Sequence, residues 1–316
     1  MNKIREYINK FERVEGKTYI VTGANSGLGY STSKHLISLG GKVIMACRNL
    51  EKANHAKNDL LKIYPKAQID ILTYDQADFN SIDHFVHQVK SEYNDFSGLV
   101  LNAGLFHPKK AMLTKDGYPL TIGTNYVGVF YLLKKLHEDH FFEQMIDRRI
   151  IFVGSLSWSK VRRNQIEHIL KNNPSSSIKE YAQSKTLLGA LAYQLSRHKQ
   201  EELYFPPHVK ALLMHPGVVA TNIVSSKESS YPQWFSSLAM KALGFFVPSS
   251  DKASLGIIKL LLDKNISEDK IVVPRGLFHI SGYPKEVKYA KKLRLVDEKL
   301  IQISQEILKK DLPDFL

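Results

Sequence analysis

The sequence predicts an α/β fold: a doubly wound sheet of about seven parallel strands with helices on both faces. Short β-branched runs alternate with longer stretches of helical periodicity along nearly the whole chain. Seven such runs occur, enough for one continuous sheet. No internal repeat and no low-complexity linker divides the 316 residues, so a single domain over 1–316 is expected.

The elements follow in order. Ile4, Tyr7, Ile8, Phe11 and Val14 recur at helical spacing, so the first residues should pack on the domain as a short helix. The same segment is polar and carries Glu6, Glu12 and Glu15, unlike a secretory signal or a transit peptide. Strands are expected at 17–21, 42–46, 68–74, 98–101, 149–153, 209–214 and 270–273. Helices are expected near 28–39, 50–63, 80–93, 120–142, 181–198 and 252–263. Two segments, 158–179 and 222–250, exceed ordinary connections and leave the sheet where ligands should bind, which marks them as functional. Val296, Leu300, Ile303 and Ile307 give the tail an amphipathic helical pattern that should dock on the body.

Composition narrows the class. With 43% hydrophobic and 24% charged residues, the chain can bury a sizeable core. No apolar run approaches the length of a membrane span, so no integral membrane segment is expected. A lone cysteine, Cys47, cannot form an internal disulfide and suits a reducing, cytoplasmic compartment. The formal charge of +13 raises nucleic-acid binding, but the basic residues are scattered and no nucleic-acid motif accompanies them. A solvated basic surface is the preferred reading, with no nucleic-acid partner.

The strongest local motif is Thr22-Gly23-Ala24-Asn25-Ser26-Gly27-Leu28-Gly29, between a strand and an amphipathic helix. Gly23 permits the tight turn, Gly27 lets a pyrophosphate approach the backbone, and Gly29 lets helix and strand pack closely. Asn25, Ser26 and Leu28 complete a loop whose N–H groups open the helix toward an anion. The second strand ends in Arg48-Asn49, beside the expected ribose. An acid there would select NAD; Arg48 offers a fork of donors to a 2′-phosphate, so NADP(H) is preferred, with a plain surface charge as the alternative. Asp75 and Gln76, at the third strand's end, are placed near the adenine. Asn102-Ala103-Gly104, ending the fourth, should let backbone pass close to the cofactor.

Tyr181 and Lys185 lie four apart and share one helical face. A nearby cation favours phenolate, so Lys185 together with the positive nicotinamide of an oxidised cofactor should lower the Tyr181 pKa and fit it for acid–base work. Together with Asn125, Ser155 and Pro216-Gly217, these residues resemble the short-chain dehydrogenase/reductase superfamily, a Rossmann-fold family, and the likeness covers nearly the whole chain. The resemblance implies hydride transfer between NADP(H) and a small-molecule carbonyl or alcohol. It implies that Ser155 holds the substrate oxygen, Tyr181 exchanges the proton, Lys185 also bonds the nicotinamide ribose, and Asn125 holds a water of the proton relay. Pro216, Gly217, Val218 and Thr221 should line the nicotinamide.

Ser155 and Tyr181 are 26 residues apart, longer than the usual form. This and the Ala46-Cys47-Arg48 strand end resemble the branch containing retinol dehydrogenases, the WW-domain oxidoreductase and protochlorophyllide reductase. Tyr231, Trp234, Phe235, Leu238, Leu243, Phe245 and Phe246 make the 222–250 segment apolar, which suggests a lid over a lipophilic substrate. A subunit interface or a shallow membrane contact are the alternatives for that segment. A homodimer is possible, and a non-catalytic NADP(H)-binding redox sensor is the rival function.

Overall fold

Burial of all five residues of Thr18–Thr22 (β1) puts this strand at the centre of the sheet. The computed structural model describes residues 3–106, 108, 110–143, 145, 149–171, 173–175, 177–197, 209–217, 249–296 and 299–311. Around β1 lie β2 (Lys42–Cys47), β3 (Ile69–Thr73), β4 (Gly98–Leu101), β5 (Arg149–Val153), β6 (Lys210–Met214), β7 (Lys270–Pro274) and β8 (Pro284–Lys288), in the order 3-2-1-4-5-6-7-8. β1 to β7 run parallel, and β8 pairs antiparallel with β7. The sheet thus has eight strands, where seven parallel ones were expected. β8 adds an edge that needs only one neighbour, and its residues are no more than half-buried.

Successive residues feed opposite faces. Ile20, Ile44 and Ala46 join one apolar cluster; Tyr19, Val21, Val43, Met45 and Cys47 join the other. Both clusters are roofed by helices: α1 (Lys3–Ile8), α2 (Gly27–Ser38), α3 (Leu50–Ile63), α4 (Phe79–Glu92), α5 (Leu120–Ile122), α6 (Gly128–Glu138), α7 (Arg163–Lys171), α8 (Ile178–Arg197), α9 (Ser250–Ala253), α10 (Leu255–Leu262), α11 (Lys291–Arg294) and α12 (Leu300–Asp311). A π-helical turn, Gly123–Val127, joins α5 to α6. α12 docks on α7 and α8, as its pattern predicts, and Ser304 and Tyr126 hydroxyls bond across at 2.6 Å.

The segment 158–179 is not the bare loop that was expected. It folds α7, which buries Ile166, Ile169 and Leu170. Of the segment 222–250, only Ser249 and Ser250 fall among the described residues; the expected lid lies outside them, as do Val218 and Thr221. No helix of the described residues is long and apolar enough to cross a membrane.

Strand order reverses between β1 and β4, whose neighbours are β2 and β5. In a parallel sheet, ligands bind beyond the carboxyl ends of the strands at such a reversal. Register brings Thr22 level with Ala46, and Val153 level with Met214, so the loops after these strands share one edge.

Candidate active site

The glycine-rich loop leaves β1 at that edge. Gly23 has φ +65° and Gly27 φ +55°, left-handed values that side chains rarely tolerate. A Cβ on Gly29 would stand 2.5 Å from the Gly23 carbonyl oxygen and 2.6 Å from Asn102 Nδ2. Only hydrogen therefore lets α2 start this close to β1. Ser26 N-caps α2 in extended conformation, but its side chain makes no capping hydrogen bond. The first turn of α2 thus keeps its N–H groups for an anion. These features fit a dinucleotide pyrophosphate, with Asn25 and Leu28 inside the same loop.

The floor of the crevice is held by Thr22, which the sequence reading quoted but gave no role. Its hydroxyl donates to Val100 O at 3.2 Å and accepts from the N–H groups of Asn102 and Ala103, both at 2.9 Å. Asn102 Nδ2 donates to Thr22 O at 2.8 Å and Gly23 O at 3.4 Å. One threonine and one amide therefore lock the loops after β1 and β4 together.

Two expected cofactor contacts are engaged elsewhere through their side chains. Asn49 caps α3, accepting the Lys52 N–H at 2.8 Å, because it stands one residue before the helix begins. Gln76 is buried: Nε2 donates to Ala103 O at 3.1 Å and to Thr124 O, and Oε1 accepts from Tyr74 OH at 3.1 Å. α6 presses against it so closely that a Cβ on Gly128 would stand 1.9 Å from Gln76 O. Asp75 Oδ1 accepts the Ala77 N–H at 3.0 Å, and Arg48 is exposed just beyond the end of β2. Burial pushes the Cys47 thiol up to about 11, against the opposing pull of backbone hydrogen bonds from Ala24 and Asn25, so it is packing and not a nucleophile.

The catalytic candidates converge. Ser155 follows β5 by two residues; its hydroxyl accepts the Ser157 N–H at 3.1 Å and lies close enough to the Tyr181 phenol to lower its pKa. Lys185 Nζ, buried, donates to Val153 O at 3.1 Å. A Cβ on Gly104 would lie 3.0 Å from Asn125 Oδ1 and 3.3 Å from Lys185 Nζ, which places all three residues together. Asn125 sits in the π-helical turn. Its Oδ1 accepts the Leu105 N–H at 2.7 Å, and Nδ2 donates to Leu105 O at 2.8 Å and Ser184 Oγ at 2.9 Å. Asn125 therefore ties the β4 loop to α8, a role that Ser184 shares and that no spacing revealed. Phe106 meets the Tyr181 ring edge-on at 4.7 Å.

The electrostatics differ from expectation. Burial raises the Tyr181 phenol above its ordinary value, and the Ser155 hydrogen bond only partly opposes it. Burial pushes Lys185 itself down to about 8, and its Nζ donates to the Val153 carbonyl. After β6, Gly217 N–H donates to His215 Nδ1 at 3.2 Å, so this ring is a turn-builder beside Pro216, buried and pushed down to about 3. It stacks edge-on with Trp158 at 5.9 Å and lies 6.0 Å from His279.

Comparisons agree with this architecture. Residues 17–232 match the model of the short chain dehydrogenase family. The chain is 32% identical over 231 residues to the human polyprenol dehydrogenase, covering 72% of this chain and 67% of that protein. It is 35% identical over 144 residues to the WW domain-containing oxidoreductase of Gallus gallus, covering 46% of this chain but only 34% of that relative. A solved structure of an uncharacterized Mycobacterium paratuberculosis protein superposes with a TM-score of 0.70 at 23% identity, covering 96% of both chains, which shows the fold alone. A glycine cradle at the switch point, a family match over most of the chain and a relative aligned over two thirds of its length leave one conclusion: this chain belongs to the short chain dehydrogenase family.

Proposed function

We propose that the protein is an NADP(H)-dependent oxidoreductase acting on a lipophilic carbonyl or alcohol, with Tyr181 as general acid/base. The observation that carries the reading is the Gly104–Asn125–Lys185 cluster, with Ser155 close enough to the Tyr181 phenol to lower its pKa, at the same sheet edge as the glycine cradle. A bound nicotinamide dinucleotide supplies or accepts the hydride. Gly23, Asn25, Ser26, Gly27, Leu28 and Gly29 would hold its pyrophosphate, and Asn102, Ala103 and Gly104 its inner face.

The chain's own residues handle the oxygen. Ser155 Oγ holds it by a hydrogen bond, beside the Tyr181 phenol whose pKa Ser155 lowers. Because burial keeps Tyr181 protonated at neutral pH, its O–H is ready to donate to an oxygen gaining negative charge during reduction. Asn125 holds the β4 loop and α8 in register, so the distance between cradle and phenol is fixed. The most direct assay is NADPH consumption with a panel of aldehydes and ketones.

Arg48 supports the choice of NADP(H), since an exposed guanidinium after β2 suits a 2′-phosphate. Arg48→Ala should lower kcat/KM for NADPH about 10- to 100-fold, the scale of a lost charge-assisted hydrogen bond, and leave NADH nearly unchanged. Equal loss with both cofactors removes that role. A lipophilic substrate is supported by Phe106 against the Tyr181 ring and by a relative named for polyprenol. Turnover across aldehydes of rising chain length should then rise with length, by up to about tenfold for each pair of buried methylenes. A flat series rejects it.

A further inference from the structure

Asn125 and Tyr126 are neighbours in sequence held by different parts of the fold. Both lie in the π-helical turn, where the Gly128 N–H donates to Gly123 O, five residues back, so the turn holds one residue more than an α-helical one. Such turns are rare and occur mostly at functional sites. Here a glycine bounds the turn at each end. A Cβ on Gly123 would stand 2.3 Å from Thr114 Cγ2, and one on Gly128 would stand 1.9 Å from Gln76 O.

Three consecutive residues of the turn are tied to three elements. Thr124 O accepts from Gln76 Nε2, just past β3. Asn125 is tied to Leu105 and to Ser184 of α8. Tyr126 is fully buried and reaches α12, where its hydroxyl lies 2.6 Å from Ser304 Oγ, 178 positions away. Ser304 Oγ donates to Leu300 O at 2.8 Å, and a hydroxyl has a single hydrogen to give. Tyr126 is therefore the donor and Ser304, itself buried, the acceptor.

We propose that α12 is a brace for the active site: through the Tyr126–Ser304 bond it sets the π-helical turn, and with it the carboxamide of Asn125. Tyr126 and Ser304 are then positioning residues, and their consequence for turnover rests on the part given to Asn125 above. The mechanism is short-range. With the Tyr126 ring anchored, the turn cannot slip into α-helical register, a rearrangement that would rotate Asn125 away from Leu105 and Ser184. Without the Ser304 oxygen, a phenol O–H stands unpaired in the core, and any shift that finds it a partner becomes favourable. Simple packing by α12 has a different signature: it would stabilise the whole domain evenly, and no one bond near the crevice would report on it.

Backbone amide exchange on the full chain tests the brace without any substrate, because Asn125 Oδ1 accepts the Leu105 N–H. In Ser304→Ala this amide should exchange about tenfold faster, while the Val43 N–H, bonded to Gln68 O, keeps its rate. Tyr126→Phe removes the donor but keeps the ring and the Ser304–Leu300 bond. It should show the same effect, and it decides the matter should Ser304→Ala fail to fold. The double variant should do no more than either single change, since both break one bond. NADPH turnover should fall about three- to tenfold in each, with KM for NADPH within about twofold. Unchanged Leu105 exchange in Tyr126→Phe, or equal acceleration at Leu105 and Val43, overturns the proposal. Faster Leu105 exchange with unchanged turnover upholds the brace and removes instead the part given to Asn125 in the reaction.

Discussion

Tyr181→Phe is expected to lower turnover about 10²- to 10⁴-fold, the usual worth of a positioned general acid, while cofactor affinity stays within about twofold. The argument is geometric. Phenylalanine keeps the ring, and so keeps the edge-on contact with Phe106 at 4.7 Å, but it removes the hydroxyl that lies beside Ser155. Nothing in the cradle changes, because the Gly29 approach and the Thr22–Asn102 lock lie on other elements. Steady-state turnover and equilibrium titration with NADPH, run on the same preparation, separate the two quantities. A variant that retains most of its turnover would remove Tyr181 from the chemistry. A variant that retains a partner-linked output without turnover would favour the redox sensor.

Much of this molecule was legible because its signals are local. Each parallel strand announces itself as a short run rich in apolar residues, and three glycines at fixed spacing between strand and helix specify a turn whatever surrounds it. Tyr181 and Lys185 share a face by helical arithmetic alone. What stayed hidden depends on partners distant in sequence. β8 is Pro-Lys-Glu-Val-Lys, a charged edge that becomes a strand only because β7 offers it a free side. α7 has a short apolar stripe that needs α12 to cover it, and that helix lies more than 120 residues later. Gln76 sits at the strand end where cofactor contacts are expected, yet the close approach of Gly128 and the carbonyls of Ala103 and Thr124 draw its side chain inward. The motif that begins at Thr22 does not show what its hydroxyl does, because its bond to Val100 spans 78 positions. Spacing puts the lysine on the phenol's face of the helix, but desolvation belongs to the assembled core, and there burial raises the phenol's pKa.

That same burial makes Lys185 a residue held against stability. Lys185→Met should make the protein more stable at pH 7, by about 1–3 kcal/mol, while lowering turnover about 10²-fold or more. A lysine pushed down to about 8 pays for its charge at neutral pH; moving it there from the ordinary value near 10.5 corresponds to about 3 kcal/mol. Loss of the Nζ hydrogen bond to Val153 O takes back about 1 kcal/mol of that gain. The sign with pH is fixed by linkage. Between about 8 and 10.5 the unfolded chain holds a proton that the folded chain has released, so wild-type stability rises with pH across that window relative to the methionine variant. The advantage of Lys185→Met should therefore be largest below about pH 8 and shrink as pH climbs toward 10. Chemical denaturation of both proteins at pH 7 and pH 9.5 measures it, and the difference between them cancels the titration of the other groups. A methionine variant less stable than wild type at pH 7 would mean that the ammonium is solvated or paired in the folded chain. The burial cost assigned to Lys185 would then fall away, and with it the expected pH dependence of the difference.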